Sequence, residues 1–73
     1  MQVKVANRIY RMSRREYQGL LNMASEQVPF GIYAVEKTGY AELRCDKCKS
    51  VSQLKELTRQ FKSRGFKVHA NGR

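Results

Sequence analysis

Apolar and polar side chains alternate over residues 2–12, but the alternation does not run in one phase. One straight strand would put Val3, Val5 and Ile9 on one face and send Tyr10 and Met12 to the other. A tight turn at Asn7-Arg8 repairs this, because Val5 then opposes Tyr10 and Val3 opposes Met12, all on one face. Asn tolerates a positive φ and Arg is the weaker fit. The pattern therefore predicts a hairpin.

Ser13 opens a helix. Ser13-Arg14-Arg15-Glu16 has the capping-box form, in which the serine hydroxyl accepts from the Glu16 amide and the Glu16 carboxylate accepts from the serine amide. Tyr17, Leu20, Leu21 and Ala24 follow at i, i+3, i+4 and i+7 and make one apolar stripe. Val28-Pro29 ends it, since a residue before proline is pushed out of the α region.

Residues 31–37 and 40–45 form the clearest hairpin. A two-residue turn at Thr38-Gly39 pairs Lys37 with Tyr40, Val35 with Glu42 and Tyr33 with Arg44. Ile32, Ala34, Ala41, Leu43 and Cys45 then share the other face and read as core. A second helix starts near Ser50 or Ser52. Leu54, Leu57, Thr58 and Phe61 repeat the helical spacing, and Gly65 stands where a left-handed cap belongs. Phe66, Val68 and Ala70 alternate with Lys67 and His69 as a short last strand.

This order predicts an α+β fold: an antiparallel sheet with two helices on one face, in the ferredoxin-like βαββαβ order with the first strand doubled into a hairpin. With both helices on one side, the opposite sheet face would be exposed. Seventy-three residues suffice for one domain with one economical core, residues 1–73 throughout.

Charge changes the picture. Fifteen Lys and Arg against six Asp and Glu give a net charge of +9, which attracts polyanions as well as keeping the chain in solution. The predicted open face carries Tyr33, Val35, Lys37, Tyr40, Glu42 and Arg44, joined by Lys67 and His69. Rings beside cations suit a single strand of nucleic acid, with bases stacked on tyrosine and phosphates held by the basic groups. The same residues suit a protein interface, and Tyr and Val are in any case good strand formers. Residues 40–45 lack the aromatic signature of an RNA-recognition motif, and Glu42 puts a negative charge in the phosphate path. Lys55, Arg59, Lys62 and Arg64 add cations on the solvent side of the second helix, and Arg14-Arg15 open the first.

Cys45-Asp46-Lys47-Cys48 has the spacing of half a zinc site. Only His69 remains as a further strong ligand, so a complete site would need an acidic ligand or a second chain. The residues read more simply as a core Cys45 and a loop Cys48, with no cofactor. Two cysteines so close do not make a secreted disulfide framework. Neither a signal-peptide pattern nor a membrane-length apolar run is expected from the pattern. Cytoplasm is the expected location. With one histidine and scattered carboxylates, no catalytic constellation is evident.

Two functions follow from these residues. The first is a small non-enzymatic nucleic-acid-binding module, single strands favoured, using Tyr33, Lys37, Tyr40, Arg44, Lys67 and His69 with Arg59 and Lys62. The second is a small inhibitor or adaptor that presents the same face to an acidic protein. Homodimerisation through that face is compatible with either, and no membrane partner is expected.

Overall fold

The first turn comes one residue earlier than the alternation predicts. In the computed structural model, which describes residues 1–72, strands β1 (Gln2–Val5) and β2 (Arg8–Arg11) flank a turn at Ala6-Asn7. Both turn residues have positive φ, 49° and 70°, as a two-residue hairpin turn of the primed type requires. Val3 therefore opposes Tyr10 and Val5 opposes Arg8. The shift keeps Arg8 out of the left-handed region and places Ala6 there instead.

Helix α1 (Arg14–Gln27) begins on the Ser13 capping box, with both reciprocal bonds formed, and ends at Val28. Strands β3 (Gly31–Lys37) and β4 (Tyr40–Lys47) form the central hairpin around Gly39, whose φ is 75°. Helix α2 (Val51–Ser63) is capped by Ser50. At its far end the Gly65 amide donates to Lys62 and the Phe66 amide to Phe61, with Gly65 at φ 87°. That is the Schellman arrangement, and it turns the chain into β5 (Lys67–Asn71).

The five strands form one mixed sheet in the order β2-β1-β4-β3-β5. The α+β class holds, but the ferredoxin-like order does not. β1 runs parallel to β4, while the other neighbours are antiparallel. The added strand β2 is the cause. It reverses the chain before α1, so the first crossover starts from β2 rather than from β1.

That reversal also places the helices. β2 is parallel to β3, and β4 is parallel to β5, but the two pairs run in opposite directions. Both crossovers move towards the β5 edge. Right-handed connections of opposite strand sense moving the same way must lie on opposite faces. The core agrees: Tyr17 and Leu21 of α1 pack on Val3, Ala34 and Ala41, whereas Phe61, Leu54 and Leu57 of α2 pack on Ile32 and Val35. The expectation of two helices on one face is therefore corrected to one helix on each.

A bulge in the central strand sorts the side chains. Ile32 and Ala34 pair with consecutive β5 residues, Ala70 and His69, leaving Tyr33 as the extra residue. On the β4 side the register slips between Asp46 and Leu43, so the expected Tyr33–Arg44 pair is not made, although Lys37–Tyr40 and Val35–Glu42 are. Tyr33 thus packs with the α1 cluster beside Ala34, and Ile32 joins Val35 under α2. Val35, expected on an open face, is fully buried. Burial of each such aliphatic side chain contributes about 1.5–3 kcal/mol, enough to hold α2 in place. Cys45, expected in the core, is exposed, while Cys48 is half-buried. Among the described residues no helix is long and apolar enough to cross a membrane.

Candidate nucleic-acid interface

The eight side chains proposed from the sequence do not form one surface. Tyr33 and His69 lie together on the α1 side, ring centroids 6.1 Å apart, and both are half-buried. Tyr40 and Arg44 lie on the α2 side. The Tyr40 hydroxyl reaches Glu42 at 3.5 Å, and burial first, then the Glu42 charge, raises its pKa. Arg44 sits over the Phe61 ring at 4.8 Å, donates to Glu42 at 2.8 Å and is paired with Asp46. Hydrogen bonding to Asp46 is the main cause that raises the pKa of its guanidinium. Its donors are largely committed. Arg59 and Lys62 line a groove beside β5, with Arg59 held by Glu56 at 2.6 and 2.8 Å. Lys37 and Lys67 are exposed and share a cleft with Arg14.

That cleft marks where the charge collects. The strand directions bring the end of β2, the start of α1, the β3–β4 turn and the α2–β5 junction to one end of the sheet. The cleft is lined by Arg14, Glu36, Lys37, Gly39, Gly65 and Lys67. Lys37 Nζ stands 4.3 Å from the Phe66 ring centroid, which holds the ammonium at the mouth. Arg11 and Arg15 flank Ser13, and Arg64 caps α2 at the same end. The N-terminus of α1 adds its positive dipole end there.

Acidic groups do little to cancel this pole. Glu16 is spent on the Ser13 cap, which lowers its pKa through the hydrogen bonds it accepts. Glu36 lies behind the cleft and is only 8% exposed. It pairs with Arg14 at 3.4 Å, and its Oε2 is 3.2 Å from His69 Nε2. Burial alone would raise its pKa, but Tyr17, His69 and Arg14 together outweigh that and lower it. Elsewhere Glu42 and Asp46 are both engaged by Arg44, and Glu56 by Arg59. Arg11, Arg15, Lys37, Arg64 and Lys67 have no acidic partner among the described residues.

Three of the pole's cations, Arg11, Arg15 and Arg64, escaped the sequence reading as a group, because only the strand order brings them to one end. Tyr10 escaped it too. The expected register puts it on one face with Val3, Val5 and Met12, and it is 46% exposed on the edge strand β2, one residue before Arg11. The positive-φ preference of the turn could have corrected that register. Chemically the pole offers point charges and guanidinium donors to anionic oxygens, with one accessible ring at its border. Among the described residues no cluster of three or more His, Cys, Asp or Glu is placed to hold a metal. No protein-family model, curated protein or solved structure matches this chain.

Proposed function

We propose that this domain is a non-enzymatic nucleic-acid-binding module that engages phosphates through its basic pole, single strands favoured. The observation that carries the reading is the gathering of Arg11, Arg15, Lys37, Arg64 and Lys67 at one end of the sheet, away from free carboxylates. A charge concentrated in this way attracts phosphate more strongly than the same charge spread over the surface. The Tyr10 ring, exposed on the edge strand one residue before Arg11 and so on the opposite face of β2, offers a stacking surface for an unpaired base at the border of the pole. Tyr33, Tyr40 and His69 support the pole from within rather than contacting bases, and Arg44 does the same for α2. Free thiols at Cys45 and Cys48 suit a reducing compartment, and we assign the domain to the cytoplasm.

Titration of a labelled oligothymidylate at increasing salt tests the reading. Binding that weakens steeply with salt, and is lost in Arg11→Ala/Arg15→Ala/Lys67→Ala, is the expected result. No binding at about 50 mM salt, where phosphate contacts are strongest, would overturn it.

A further inference from the structure

A second surface lies away from the pole. β5 is an edge strand that pairs only with β3, so one row of its backbone groups points outward. Among the described residues no other backbone group bonds to that row. Beside it runs a groove of 470 Å³ whose walls are β5 and the flank of α2. Leu54, Thr58, Ala70 and Gly72 make its floor, and Lys55, Arg59 and Lys62 its rim. The rim residues fall at i, i+4 and i+7, one straight row along the helix.

The groove is held open by its neighbours. Asn71, at the end of β5, turns its side chain inward and donates to the Ser25 and Val28 carbonyls at 3.0 and 3.1 Å. This ties the strand to α1 from within and leaves its outer edge fixed. Gly72 passes so close to Leu54 that a Cβ there would collide with the leucine side chain. Backbone, rather than a side chain, therefore closes that end of the groove.

We propose that this groove receives an extended acidic peptide of another protein, which adds to β5 as a sixth strand. A free strand edge beside an apolar helix flank is the arrangement in which strand addition gives main-chain hydrogen bonds and pockets for alternate side chains. Lys55 and Lys62 have no acidic partner among the described residues, so the rim selects for Asp and Glu next to the apolar residues. A second copy of the chain does not fit. Antiparallel β5–β5 pairing would bring two rows of Lys55, Arg59 and Lys62 together with only Glu56, already paired with Arg59, to offset them. Nucleic acid would use the rim but neither the strand edge nor the apolar floor. The site is separate from the basic pole and does not depend on it.

Selection of displayed random heptapeptides on the whole domain tests this. Enriched peptides should alternate Asp or Glu with Val, Ile or Leu. In the bound state, amide shifts should be confined to residues 54–62 and 67–72. Methylating alternate peptide amides, and separately Lys55→Glu/Lys62→Glu in the protein, should each weaken binding about tenfold or more, since both change surface contacts and leave the core intact. Failure to enrich such peptides, shifts elsewhere, or indifference to amide methylation would each overturn the proposal. So would displacement of the peptide by oligothymidylate, which would assign the groove to nucleic acid instead.

Discussion

Glu36 Oε2 stands 3.2 Å from His69 Nε2 across the β3–β5 pair, and neither atom reaches the surface. The two are at ion-pair distance, yet they are not aligned as a hydrogen bond, and the buried Tyr17 hydroxyl beside them has no aligned partner either. This polar knot sits directly behind the cations of the cleft and anchors Arg14 at its edge.

Acid should loosen that anchor. The Glu36 pKa is lowered in the fold, so its contribution is complete above the ordinary glutamate value of about 4.3 and disappears as pH falls through the lower folded value. Glu36→Gln should cost about 1–3 kcal/mol at neutral pH. The gap between the two proteins in urea melts should close as pH falls below about 4. A gap that widens towards acid would show that the carboxylate is not the stabilising form.

Alkali should find Tyr17 last. Burial first, then Glu36, raises its pKa, so the neutral phenol is the form the fold favours. That contribution is full below the ordinary tyrosine value of about 10 and is lost as pH rises through the folded value. In an ultraviolet titration one of the four tyrosines should ionise only as the domain unfolds, and Tyr17→Phe should remove that late step.

The first hairpin stores a small, removable strain. Ala6 holds a φ of 49°, which costs a residue with a Cβ about 1 kcal/mol relative to glycine. Ala6→Gly should accordingly raise stability by about 0.5–1 kcal/mol in equilibrium melts. A loss instead would place the turn at Asn7-Arg8, where the alternation alone puts it.

The two cysteines should respond in the opposite order to the one the strand alternation suggests. Cys45 is exposed, and Cys48 is half-buried with its amide bonded to the Phe30 carbonyl. A disulfide-exchange reagent should label Cys45 first. Cys45→Ser should change stability by less than about 0.5 kcal/mol, with Cys48→Ser the costlier change. Equal rates of labelling would contradict this placement.

Salt should separate the cations from the rings. Engagement of about four phosphates gives a log–log slope near −3 for a single strand. Lys37→Ala and Lys67→Ala should flatten it, and Arg59→Ala should not, because Arg59 lies on the α2 groove and is held by Glu56. Tyr10→Ala should weaken binding at every salt without changing the slope, as loss of stacking releases no counterions. Tyr33→Ala should instead destabilise the fold by about 1–3 kcal/mol, as truncation of a half-buried ring does.

Apart from the first turn, which falls one residue early, what is written in the local chain was legible in the amino-acid order. The Ser13 box, the Gly65 cap, the Thr38-Gly39 turn and the two apolar stripes are short-range matters of hydrogen bonding and periodicity, and each element appears where those residues put it. The site was less legible. Its cations were visible one by one, but a period-2 pattern says only that neighbours in a strand face opposite ways, not which face a helix will cover. Two features outside that pattern decided it. The bulge at Tyr33 spends one extra residue, so Tyr33 and Val35 part company. The reversal by β2, joined to the right-handedness of crossovers, carries α2 to the face that the sequence pattern leaves open. The charge of +9 belonged to the sequence alone. Its concentration around Lys37 and Lys67, and the free edge of β5 beside Lys55 and Lys62, exist only because distant segments meet in this strand order.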